Sequence, residues 1–118
     1  MMSCLYRNES RMRPARTRMM REILEYVCDY YETEVDAVLS YSRQAGLIWP
    51  RHVVMAIAAA NGFTSTTIAA ALNRERTLVS YAHASVRGQC DVYPIVAKEV
   101  KKLATHIKEN IIEKNELQ

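Results

Sequence analysis

The densest group of side chains able to recognise another molecule lies in residues 72–84, LNRERTLVSYAHA. Arg74 and Arg76 can neutralise phosphates or fork onto a guanine edge. Glu75 can accept from cytosine, and Thr77 can bond a phosphate or touch a thymine methyl. If the string opens a helix, the unpaired N–H groups at its start add their own attraction for phosphate. The competing explanation is an ordinary charged helix start, with Glu75 favouring the dipole and the arginines solvated. On pattern alone that plainer explanation is slightly the stronger.

Catalysis finds less support. The sequence has no G-x-x-x-x-G-K-[ST] loop to cradle phosphates, no H-E-x-x-H pair, and no serine or cysteine with the neighbours of an activated nucleophile. His52, His83 and His106 are too widely spaced to form a helical ligand pair. Cys4, Cys28 and Cys90 are odd in number and lack a C-x-x-C spacing, so neither a zinc ribbon nor a disulfide framework is encoded. The expectation is a protein without enzymatic activity, metal or cofactor, working in a reducing cytoplasm and associated with the nucleoid.

At 118 residues the chain fits one domain with an appended arm, and its 49% hydrophobic and 25% charged residues are globular values rather than those of a disordered chain. The longest apolar stretch, Val53 to Ala60, is too short for a bilayer span. Charge is unevenly placed. Residues 1–21 hold six arginines (Arg7, Arg11, Arg13, Arg16, Arg18, Arg21) against Glu9, a net +5 that leaves the remainder at −2. Residues 1–16 are therefore expected to be a flexible basic arm suited to a polyanion, ahead of a helical domain over residues 17–118.

The elements that must position these groups are all helical, because the apolar positions recur at three- and four-residue steps and no useful period-two alternation appears. One helix is expected from about Thr17 to Tyr31, with Met20, Ile23, Leu24, Val27, Cys28 and Tyr31 inward. A short one follows from Val35 to Ser42, then a loop from Arg43 to Trp49. Pro50 is expected at the first position of an alanine-rich core helix ended by Asn61-Gly62. Ser65 to Leu72, capped by Thr64 or Ser65, and Arg74 to Gly88, after a break at Asn73, then form a helix-turn-helix. A last helix, capped by Asp91 with Pro94 in its first turn, turns Val96, Val100, Leu103, Ile107 and Ile111 inward. Lys98, Lys101, Lys102 and Lys108 lie on its solvated face.

Several strings from Arg21 onward resemble the C-terminal DNA-binding domain of the bacterial replication initiator DnaA, a helical domain with a Trp-repressor-like helix-turn-helix. EILEYVCDYYETEVDAVLS resembles its opening helix and V-x-D-L-L-S segment, PRHVVMAIA its R-P-R-Q-x-A-M-x-L helix, and NRERTLVSYA its G-R-D-H-T-T-V-x-H-A signature. The resemblance implies an all-α fold and binding to double-stranded DNA. It places Arg43 where the family inserts an arginine into the minor groove. Arg51, His52, Arg74, Glu75, Arg76 and Thr77 then fall on base and phosphate contacts in the major groove, and Ser65 and Thr66 near thymine methyls.

The sequence departs from the family at Glu75 and Arg76, which replace aspartate and histidine, and at Leu78, Tyr81 and Trp49. Ala45 and Gly46 thin out the basic loop, and the family's ATPase module has no counterpart here. The leading expectation is a sequence-specific DNA-binding protein in replication control or transcription regulation. The alternative is a protein-interaction module that binds or modulates a replication initiator. A protein partner, the oligomeric state and a bacterial or phage origin stay open. If the leading reading holds, Arg76→Ala and Arg51→Ala should each weaken specific binding by ~1–3 kcal/mol in an equilibrium titration, the usual loss for a base-reading arginine.

Overall fold

The computed structural model describes the backbone of residues 2–116 and the side chains of residues 16–115. All elements among them are helical: α1 (Met2–Tyr30), α2 (Val35–Leu39), α3 (Ala45–Ala60), α4 (Ser65–Leu72), α5 (Arg76–Val92) and α6 (Pro94–Ile107). A π-helical turn, Lys108–Ile112, and a short α7 (Glu113–Glu116) prolong α6.

Helix α3 is the centre of the fold. Every residue from Val53 to Ala58 is buried, so successive 100° steps meet protein on all sides. Ala56 and Ala58 keep that helix thin and let the flanking helices approach closely. α1, α2, α4 and α5 all pack on it, α5 most extensively. One contiguous core results, from Met20, Ile23, Leu24 and Val27 of α1 through Met55, Ile68, Leu72 and Val79 to Leu103 and Ile107 of α6.

Several boundaries differ from the sequence expectation. The helical backbone of α1 starts at Met2 rather than near Thr17, through a stretch with four arginines, which are good helix formers. The side chains of Arg7, Arg11 and Arg13 lie outside the described residues. Arg16, the last residue of the expected arm, places its guanidinium 5.7 Å from the Phe63 ring centre. α3 begins at Ala45, so Pro50 sits inside it and not at its first position, and the expected loop shrinks to residues 40–44. The extra turn is held by tertiary contacts that outweigh the missing proline N–H: Leu47 is buried, and Trp49 Nε1 donates to Tyr31 Oη at 2.9 Å. Asp91 is not a cap. α5 runs on to Val92, Tyr93 alone joins it to α6, and Pro94 takes the first position there.

Three chain reversals share one hydrogen-bond pattern. After α1, Thr33 N donates to Cys28 O (2.9 Å) and Glu32 N to Asp29 O (3.2 Å). After α3, Phe63 N donates to Ala58 O (3.2 Å) and Gly62 N to Ala59 O (3.1 Å). After α4, Arg74 N donates to Ala69 O (2.9 Å) and Asn73 N to Ala70 O (3.4 Å). These paired bonds form the Schellman closure, which needs a left-handed residue at its corner. Glu32 (φ 55°), Gly62 (φ 89°) and Asn73 (φ 60°) supply it.

α6 is tied to the other end of the molecule by a small polar network. Tyr31 Oη, which accepts from Trp49, donates to Glu99 Oε2 at 2.8 Å, and Tyr30 Oη donates to Glu99 Oε1 at 3.2 Å. Burial and the Glu99 carboxylate push the Tyr31 hydroxyl well above its ordinary pKa, so it stays a donor. Beyond α6, the wider π-helical turn buries the consecutive Ile111 and Ile112 together. Tyr31→Phe strands both Trp49 N–H and one carboxylate oxygen, and we expect a loss of about 1–3 kcal/mol in chemical denaturation. Tyr30→Phe, in a more exposed bond, should cost less.

Candidate nucleic-acid interface

Helices α4 and α5 form the expected helix-turn-helix. α4 spans Ser65–Leu72 as read from sequence, and Thr64 caps it by accepting from Thr67 N at 3.2 Å. The corner at Asn73 turns the chain into α5, which begins at Arg76 rather than Arg74. Val79, Ala82 and Val86 bury one side of α5. The opposite side, at three- and four-residue steps, exposes Arg76, Thr77, Ser80, Tyr81, Ala84, Arg87 and Gly88. Small side chains therefore run along the outer ridge at residues 80, 84 and 88, with larger polar groups to either side.

The nine residues singled out from sequence divide into two groups. Arg76, Thr77 and Glu75 are exposed at the start of α5, and Ser65 and Thr66 are exposed at the start of α4. Arg43 is exposed in the segment before α3. None of these six has its side chain committed to another part of the protein among the described residues, and Glu75 and Arg76 form no ion pair with each other.

Arg51, Arg74 and His52 are placed differently. Arg51 is only 6% exposed; its Nε donates to Val38 O at 2.7 Å, and its Nη2 to Ser40 O at 3.0 Å and Ala37 O at 3.3 Å. Burial, then the charge of Arg74, pull its pKa below the ordinary arginine value. Arg74 is half-buried and donates to the Ser40, Val38, Leu39, Leu72 and Asn73 carbonyls. Its guanidinium also lies 5.2 Å from the centre of the exposed Tyr41 ring. In this fold the Arg51 donors face the end of α2, because position 51 falls on an inward face of α3.

His52 is half-buried and meets Tyr81 edge to face, 5.8 Å between ring centres. The pair joins α3 to the outer side of α5, and Tyr81 remains 65% exposed there. Sequence reading registered Tyr81 as a departure from a motif rather than as a surface group. Ser80 and Arg87 were not selected either, although their spacing from Thr77 and Arg76 was the available signal. Tyr41 belongs beside them, lining with Ala69, Ala70, Asn73, Arg74 and Glu75 a groove of about 320 Å³ at the mouth of the turn.

Chemistry beyond binding is weakly provided. Burial raises the thiol pKa of both Cys28 and Cys90, with Asp91 adding to the effect at Cys90, which keeps them protonated and poor nucleophiles. Among the described residues no cluster of three His, Cys, Asp or Glu could hold a metal ion, and no helix is long and apolar enough to cross a membrane.

Burial, then the Arg51 charge, depress the His52 pKa. The unfolded chain, with its ordinary imidazole near 6.5, then binds more protons than the folded one. The contribution of His52 to stability is complete above about pH 6.5 and is lost as pH falls through the lower folded value. We expect denaturation midpoints to drop between pH 7.5 and 5.5, and to drop less in His52→Gln.

Residues 20–86, from the second half of α1 through most of α5, match the family model described as bacterial DnaA protein helix-turn-helix. No curated protein matches the chain at a significant level.

Proposed function

Since the chain belongs to the bacterial DnaA helix-turn-helix family, we propose that it is a double-stranded DNA-binding protein that reads sequence through α5 and acts in replication control or transcription regulation, without ATPase or other enzymatic activity. The observation that carries this reading is the outer ridge of α5. Its small side chains let the helix axis sit deep in a major groove about 12 Å wide. Arg76, Thr77, Ser80 and Tyr81 reach the base edges, while Arg87 lies toward the flanking phosphates. Ser65 and Thr66 approach the same groove from α4, and Arg43 enters the adjacent minor groove. The arginine-rich start of α1 adds phosphate contacts that make affinity fall with salt. Such a protein works in the cytoplasm on the nucleoid.

A second reading rests on the joint between α5 and α6, where Val92, Tyr93 and Ile95 are 66%, 53% and 84% exposed. With the acidic Glu25, Asp29 and Glu32 of α1 and its following turn also exposed, the chain offers apolar and acidic groups suited to a protein partner such as a replication initiator.

Selection of random duplexes on the purified protein separates the two. Under the DNA reading one motif is enriched, and Arg76→Ala weakens binding to it by about 1–3 kcal/mol while reducing discrimination at one or two base pairs. A pool that emerges without enrichment, from a protein with no salt-sensitive duplex affinity, would sink that reading and leave the partner surface.

A further inference from the structure

Helix α2 has five residues, too few to persist on its own hydrogen bonds. Its final carbonyls are nevertheless all occupied. Arg51, from α3, takes Ala37, Val38 and Ser40; Arg74, from the turn between α4 and α5, takes Val38, Leu39 and Ser40. Two guanidiniums, one from α3 and one from the turn between α4 and α5, thus converge on one helix end. Neither forms an ion pair with a carboxylate among the described residues, so the negative end of α2 is their counter-charge. No buried side-chain nitrogen or oxygen among those residues lacks a partner.

The chain leaves α2 at this point, passes Arg43 three residues after Ser40, and enters α3 at Ala45. The intervening bonds are local and slender: Ser42 N donates to Ser40 Oγ at 3.2 Å and Gln44 N to Ser42 Oγ at 3.4 Å. What fixes the segment to the rest of the protein is the pair of arginines. Arg74 is two residues from the start of α5, so the same brace links the segment bearing Arg43 to the helix bearing Arg76.

We propose that Arg51 and Arg74 are positioning residues that hold the Ser40–Gln44 segment in register with α5, presenting Arg43, and that neither guanidinium reads a base. The inference deepens the DNA-binding reading and rests on it for the role of Arg43. For Arg51 to swing out onto DNA, buried carbonyls would lose their donors, a change that opposes the motion. Lysine does not substitute, since one ammonium cannot span three carbonyls as a planar fork does.

Two measurements on the full chain test this. In amide exchange on the free protein, Arg51→Lys should raise exchange at Ser40 and Ser42 about tenfold and leave α6 unchanged. A uniform rise, or none, overturns the brace. In binding to the duplex enriched by selection, Arg43→Ala and Arg51→Lys should each weaken affinity about tenfold, and the double variant no further. Losses that multiply would show that Arg51 contacts DNA itself and overturn the proposal. Arg74→Lys, read in the same two ways, guards against a misfolded Arg51 variant. If no duplex binds the parent protein, the DNA-binding reading fails and takes the role of Arg43 with it, whereas the exchange result still decides the brace.

Discussion

Helix α3 runs through the middle of the molecule with protein on every side, and the space it occupies sets the distances between the other helices. Valine and alanine make up most of its buried stretch. A larger residue at Ala56 or Ala58 would push neighbouring helices outward, since a packed interior yields little. The crossing of α5 over α3 is therefore a consequence of side-chain volume, and with it the tilt at which the outer ridge of α5 meets solvent. The candidate interface is shaped from behind.

That dependence explains which parts of the fold could be read from the amino-acid sequence. α4 was legible to the residue because its limits are local events, a threonine cap and an asparagine able to turn left-handed. The buried faces of α1 and α6 were legible because periodicity reports burial directly. The beginning of α3 was not, because the local preference of Pro50 for a first position is overruled by the burial of Leu47 and by the bond from Trp49 to Tyr31, far away in sequence. Asp91 misled too: a good cap residue stands two residues before the actual cap position, Tyr93, and the chain continues through it until Pro94 opens the next helix.

The candidate binding residues show a subtler limit. Arg51, Arg74 and Arg76 are the same residue type in neighbouring segments, and a guanidinium fork suits a guanine edge and a cluster of backbone carbonyls equally well. What decides between them is where packing turns each residue, and along a helix each step of one residue turns the side chain by about 100°. Motif resemblance picked out the neighbourhood of the candidate interface. It could not separate the groups that face outward, such as Arg76 and Thr77, from those that hold the scaffold behind them. Tyr81 and Ser80 escaped notice for the complementary reason, being exposed by geometry rather than marked by charge.

The three Schellman closures bear on how the chain reaches this arrangement. Each corner is sealed by bonds spanning six residues, so closing it costs little loop entropy and requires no distant partner. The turn at Asn73 can set the angle between α4 and α5 as soon as those residues exist, and α3 immediately before them supplies the first apolar surface to collapse onto. Contacts so close in sequence favour rapid assembly. During synthesis, the half of the protein that carries the helix-turn-helix can take shape while α6 is still being made, and the Tyr31–Glu99 network then closes over a structure whose outer α5 ridge has already been formed.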